Sequence, residues 1–398
     1  MKPLQDLLVI ELATMVTASF ATMMMADQGA RVVKIEPIEG GDPMRYLGHN
    51  KGDISALFAN CNRGKESICV DLKQQAGQEL VTALMLKADV VISNFRPGVM
   101  DQLNLGSEAL RAKNPDLIYC AITGFGTDGP MADAPAYDPI MQAHLGFADV
   151  QRDEEPALVK NLVCDKVTAY TACQAVTAAL LVREKTGVGQ HIDISMMDAG
   201  LFFLFPDGYM AHTLLDEDQV AGPEIRDGYR SISTSDGEIT ISAATQKQVL
   251  GIVKAIGRSD LLEQENLPAL IELVQDRPAF RELYADAIAD MTTEQTLKRL
   301  RDADVPAAKC LDAQEVLDHP QLAANDTIEV IQHPVMGGMR TIRSPIRFGG
   351  EQLPLSKNCP VLGEDTYSVM QELGLSADEI RNLEDKKTIG KSAEAFAE

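Results

Sequence analysis

The sequence predicts a doubly wound α/β protein: a large domain built on a parallel sheet, accompanied by a smaller α+β domain. Three observations carry the prediction. Short β-branched runs alternate with amphipathic stretches through the first part of the chain, which makes crossover connections and parallel strands the expected outcome. The 398 residues exceed what one ordinary core accommodates. The texture changes after about residue 220, where helical stretches rich in Glu and Arg replace the alternation.

Taken in order, Leu7 to Leu12 reads as a strand, followed by a Met-rich helix ending at Asp27 and a second strand from Arg31 to Ile35. The pattern repeats as a strand from Ser67 to Leu72, a helix to Lys87 and a strand from Asp89 to Ser93, and Leu117 to Ile122 adds another. Asp165 to Lys185 is a long helix whose alanines (Ala169, Ala172, Ala175, Ala178, Ala179) suit close packing on a neighbour. A hairpin is expected around Ser235-Asp236-Gly237, then several helices. Short helices are expected from Glu364 to Leu373 and from Ala377 to Leu383. The domains are accordingly 1–220, 221–325, and a C-terminal segment 326–398 that returns to the large domain.

A net charge of −23 repels phosphate backbones and anionic membrane surfaces, which argues against nucleic acid and membrane partners. No apolar run is long enough to span a bilayer, and the N-terminus lacks the basic and apolar regions of a signal peptide. Seven scattered cysteines without a C-x-x-C point to a reducing cytoplasm and to neither disulfide framework nor zinc site. The six histidines show no metal-ligand spacing, so no metal is expected. From Arg31 to Arg96, nine basic residues balance eight acidic ones, so an anion is tolerated there.

Gly124-Phe125-Gly126-Thr127-Asp128-Gly129 matches a dinucleotide fingerprint, but Pro130 and Pro135 follow where a helix N-terminus would have to meet a pyrophosphate. Nicotinamide and flavin sites are therefore disfavoured. Neither G-x-S-x-G nor a Walker motif occurs, which leaves carboxylate chemistry. Four basic segments stand out: Asp42-Pro43-Met44-Arg45, Asn62-Arg63-Gly64-Lys65, Val70-Asp71-Leu72-Lys73 and Asn94-Phe95-Arg96-Pro97-Gly98. In an open α/β sheet ligands bind beyond the carboxyl ends of the strands, and Lys73 and Arg96 each follow a strand by a few residues, as phosphate-binding groups would. Asp165, from the residues alone, reads as a helix N-cap.

Asn62-Arg63-Gly64-Lys65, Val70-Asp71-Leu72-Lys73, Asn94-Phe95-Arg96-Pro97-Gly98 and Gly124-Phe125-Gly126 with Gly129-Pro130, together with Gly29 to Pro37, Ala136-Tyr137-Asp138 and Leu362-Gly363-Glu364, appear in an order and spacing that resembles the family III CoA-transferases, the superfamily of formyl-CoA transferase, the carnitine CoA-transferases and α-methylacyl-CoA racemase. The resemblance runs from Leu7 to about Leu383. It implies a Rossmann-like large domain, an interlocked homodimer, and coenzyme A or an acyl-CoA as substrate, with no tightly bound cofactor. It makes Asp165 the nucleophile, and it assigns CoA contacts to Val16, Val70, Asp71, Leu72, Lys73, Asn94, Phe95, Arg96, Tyr137 and Asp138. The partners implied are an acyl-CoA donor and a carboxylic acid acceptor.

Three departures matter. Val16 stands where relatives similar to formyl-CoA transferase carry glutamine, and Ile241 to Thr245 lacks the glycines of their shielding loop. Tyr137 stands where the racemases resembling this chain carry a basic histidine, and a phenol titrates far above the range useful for α-proton removal. A racemase-like isomerase and a non-catalytic CoA-binding protein are the alternatives to transfer.

Overall fold

The structure, a computed structural model, describes residues 2–152, 154–216, 218–220, 222, 225–355 and 357–390. Residues group into two units, Met1–Pro206 with Ala324–Glu398, and Asp207–Ala323.

The first unit is organised by strands β1 (Leu8–Leu12), β2 (Arg31–Glu36), β3 (Lys65–Cys69), β4 (Val90–Ser93), β5 (Ile118–Thr123) and β6 (His191–Ser195). They form one sheet in the order β3-β2-β1-β4-β5-β6, with all neighbours parallel. The chain winds outward from β1 to β3 in one direction and from β4 to β6 in the other, so the order switches between β1 and β4. Alternation along each strand separates the two faces. Ile10, Leu12, Val33, Ile35 and Ile68 join an apolar core with Val81, Leu84 and Met85 of helix α1 (Gln75–Met85).

The other face of the sheet carries charge. Glu11, Lys34 and Lys65 are fully buried; the Glu11 carboxylate accepts Lys34 Nζ at 2.6 Å and Lys65 Nζ at 2.8 Å. Arg45 forks onto Glu36 at 2.7 and 2.8 Å and lies over the Phe58 ring, and Arg63 forks onto Asp27 at 2.6 and 2.9 Å. These pairings take three cations of the basic segments out of contention for an anionic ligand. Arg45, Arg63 and Lys65 are committed to internal ion pairs, and only Lys73 and Arg96 of that set are exposed. The same pairing explains why β3 starts at Lys65, two residues before the expected Ser67.

The long helix α2 (Val163–Thr186) packs against helix Thr17–Asp27, burying Ala169, Ala172, Val176 and Ala179, with Phe20 edge-on to Tyr170. Strand β6 was not expected from sequence, because two isoleucines among His191, Asp193 and Ser195 are a weak alternation. The C-terminal segment adds the hairpin Ile328–His333 and Gly337–Ile342, then helices Thr366–Glu372 and Ala377–Asp385. Val369, Met370 and Ile380 enter the apolar core beside β3, where Asp365 accepts Ser67 N–H at 2.9 Å.

In the second unit, strands Ile232–Thr234, Gly237–Ile241 and Ala307–Lys309 form an antiparallel sheet, and the first two are joined through Ser235-Asp236. Helices Gln246–Ala255, Leu267–Gln275, Arg277–Ile288 and Thr293–Asp302 close over Ile239, Val253, Leu270, Phe280 and Leu300. No described helix is long and apolar enough to cross a membrane.

Candidate active site

A cavity of about 250 Å³ opens beyond the carboxyl ends of the strands at the β1/β4 switch, where open α/β sheets place their ligands. Much of the wall is the first stretch after a strand: Thr14, Met15 and Thr17 after β1, Asn94 to Pro97 after β4, Gly124 after β5, and Met196 after β6. Ala136 and Tyr137 close one side, and Asp165 projects from the first turn of α2. Of the expected site residues, the fold brings together Asn94, Phe95, Arg96, Tyr137 and Asp165.

Asp165 is the third residue of its helix, not its cap. Leu162 occupies the cap position and makes no side-chain capping bond. The orphan N–H of Asp165 is instead satisfied from outside the helix, by Asp138 Oδ2 at 3.1 Å. The other oxygen of buried Asp138 accepts Gln142 Nε2 at 2.5 Å, and Gln142 also binds Val159 and Asn161 in the segment leading into α2. Asp138 therefore fixes the start of the helix. Burial, reinforced by the negative charge of Asp138 and only partly opposed by Lys166, pushes the Asp165 carboxyl up to about 7. It is the sole carboxylate lining the cavity among the described residues.

The loop after β1 is tied from below. Asn94 Oδ1 accepts Thr14 N–H at 3.0 Å, while its Nδ2 donates to Thr14 O at 2.6 Å and to Thr17 Oγ1 at 3.0 Å. Met15 adopts a left-handed φ of 63° and donates its N–H to Asp42 Oδ1 at 3.1 Å. Lys34 reaches the same loop through Ala13 O at 3.0 Å. A non-glycine residue in that region costs on the order of 1–3 kcal/mol, which the surrounding bonds must offset.

The remaining expected contacts lie elsewhere. Val16 is packed against Met44, Ile54 and Phe58 beneath the loop. Val70 to Lys73 follow β3, separated from β4 by β2 and β1 in the sheet. Val70 is core, Leu72 packs on it, and the Asp71 carboxylate accepts Lys73 N–H and Gln74 Nε2. Lys73 extends into solvent, and Arg96 is exposed at the cavity with no partner for its guanidinium among the described residues. Thr14, Thr17, Thr123 and Met196 were not singled out in sequence; reading the residues immediately after every strand end identifies most of them.

Among the described residues, the switch-point cavity of this α/β fold is lined by one carboxylate, Asp165, and one exposed arginine, Arg96. The model of CoA-transferase family III matches residues 4–366, and the chain belongs to that family; it is a CoA-transferase by class. It is 31% identical over 385 residues to acetyl-CoA:oxalate CoA-transferase of Acetobacter aceti, covering 93% of this chain and 95% of that one. Succinate–glutarate CoA-transferase of Agrobacterium fabrum is likewise 31% identical, over 93% and 96% of the two chains. The human α-methylacyl-CoA racemase is 29% identical over 97% of each. Among solved structures, a CAIB/BAIF family protein from Brucella suis superposes with a TM-score of 0.80 at 32% identity, covering 94% of this chain and 99% of that one.

Proposed function

We propose that the protein exchanges CoA between an acyl-CoA and a free carboxylic acid, with Asp165 as nucleophile. An Asp165 oxygen attacks the thioester carbonyl; the C–S bond breaks, and CoA leaves as its thiolate, giving an aspartyl-acyl anhydride. The thiolate then attacks the aspartyl carbonyl, releasing the donor acid as carboxylate and leaving an aspartyl-CoA thioester. The acceptor carboxylate runs the two steps in reverse, so no net proton, metal or electron is required. The observation that carries the reading is the isolation of Asp165 as the one carboxylate lining the cavity among the described residues.

The Val70–Lys73 segment, Phe95 and Arg96 are assigned to CoA, with Arg96 on a phosphate and the larger unit, including its C-terminal segment, as the CoA-binding domain. Asn94 and Asp138 are assigned positioning roles, because their side-chain bonds are directed at the protein. Exposed Phe202 and Phe203 support a homodimer, and the free, mostly buried thiols support a reducing cytoplasm. The names of two relatives put short dicarboxylates first among acceptors to test. Racemisation is the weaker reading, since Tyr137 fills the place of its second base.

Incubation with acetyl-CoA or succinyl-CoA in the presence of hydroxylamine should convert Asp165 to its hydroxamate, read by peptide mass spectrometry. Turnover with an unmodified Asp165 peptide would refute the mechanism. In steady-state assays, Arg96→Ala is expected to raise the KM for acyl-CoA about tenfold with little change in kcat, as loss of one charge-assisted phosphate contact does. An unchanged KM removes Arg96 from the CoA site.

A further inference from the structure

We propose that the Thr17 hydroxyl is the donor that stabilises the oxyanion formed when the donor thioester is attacked, an inference that rests on the transfer reading above. Asn94 has a fixed orientation, because Thr14 N–H must face an acceptor, which makes the atom at 3.0 Å Oδ1. Both hydrogens of Nδ2 are then directed at Thr14 O and at Thr17 Oγ1. Thr17 Oγ1 is therefore an acceptor in that contact, and its own hydrogen must point elsewhere.

Thr17 is only 3% exposed, and its O–H finds no acceptor among the described residues. A buried hydroxyl with its hydrogen uncommitted is uncommon in folded proteins and calls for a partner. Thr17 lines the cavity that also holds Asp165, so the free donor and the nucleophile share one space. Its neighbour Thr14 cannot substitute through its backbone, since both its N–H and C=O are bound by Asn94. The Met15 N–H is likewise consumed by Asp42. The groups of Thr14 and Met15 that Asn94 and Asp42 hold are thus committed, which leaves the Thr17 hydroxyl, beside the first-turn N–H groups of its helix, as a buried donor at the cavity. In the attack step, the Asp165 oxygen forms a bond to the thioester carbon while the C=O π pair moves onto oxygen; Thr17 O–H donates to that oxygen, and the hydrogen stays on Thr17 when the pair returns and the C–S bond breaks.

The test compares Thr17→Val, which keeps the shape and β-branching, with Thr17→Ser, which keeps the hydroxyl. Thr17→Val should lower kcat about 10²-fold, the loss typical of one oxyanion donor, with the KM for acyl-CoA changed less than about threefold. Thr17→Ser should stay within about tenfold of the parent. The pH profile separates this role from a bond to Asp165 itself. If Thr17 donated to the Asp165 carboxylate, Thr17→Val would shift the acid limb of kcat/KM upward, and that shift overturns the assignment. Equal losses in both variants, or full activity in Thr17→Val, also overturn it. If Thr17→Val does not fold, Thr17→Ala and Thr17→Ser are compared in the same way. Hydroxylamine labelling of Asp165 in the parent keeps the two hypotheses apart: labelling with an indifferent Thr17 rejects only this one, whereas turnover without labelling rejects the transfer mechanism beneath it.

Discussion

Replacing Asp165 by asparagine is expected to lower CoA transfer by roughly 10⁴-fold or more while stabilising the folded protein. An amide keeps the shape of the side chain but supplies no anionic oxygen, so neither the anhydride nor the aspartyl thioester can form. In the parent, kcat/KM should rise with pH along a limb of unit slope and level off near pH 7, because burial and Asp138 hold the carboxyl at about 7 and only its ionised form attacks. Stability runs the other way. The folded carboxyl binds its proton more tightly than the unfolded one, whose ordinary value is 3.8, so stability falls as pH rises from about 4 to about 7 and is flat beyond. Asparagine removes that penalty. Discounted for partial exposure, its gain should be about 2 kcal/mol at pH 8 and near zero at pH 4, measured by urea unfolding. A gain independent of pH would show that the Asp165 carboxyl is not strained by ionisation.

That coupling of lost activity to gained stability is the signature of a group held against its own preference. It is also the part of the site that sequence conveyed least. The helix bearing Asp165 was legible from its periodicity and its alanines, and the strands from their β-branched runs, because both signals are local. Asp138 lies 27 residues away, and nothing between the two positions announces that its carboxylate would cap α2 and set the charge environment of Asp165. Asn94 shows the same limit. Its motif marks a strand end, yet its work is to bind Thr14 and Thr17, nearly eighty residues earlier. The basic segments misled for a related reason: Arg45, Arg63 and Lys65 look like an anion site until their partners Glu36, Asp27 and Glu11 are folded onto them.

The second large effect is expected from Glu11→Gln, which should cost about 3–5 kcal/mol of stability at pH 7. The Glu11 carboxylate accepts four donors, Ser19 Oγ at 2.8 Å, Thr22 Oγ1 at 2.5 Å, Lys34 Nζ and Lys65 Nζ, and none of the charged members touches solvent. An amide fits the space but leaves two buried ammonium groups without their shared counterion, and its own NH₂ must face donors. The pH dependence has a definite sign. The two lysines hold the Glu11 carboxyl well below the ordinary 4.5 even against the opposing effect of burial, so the stability it contributes is complete above about 4.5 and is lost as pH falls below it. Urea unfolding of the parent and Glu11→Gln should therefore converge on acidification. A loss under about 1 kcal/mol at pH 7 would mean that the network contributes no net stability. The same substitution reaches the active site, because Lys34 bridges Glu11 to Ala13 O and to Asp42, and Asp42 holds the left-handed Met15. Glu11→Gln should then lower kcat in protein that is still folded, through the loop carrying Thr17, while the acid limb set by Asp165 stays where it was.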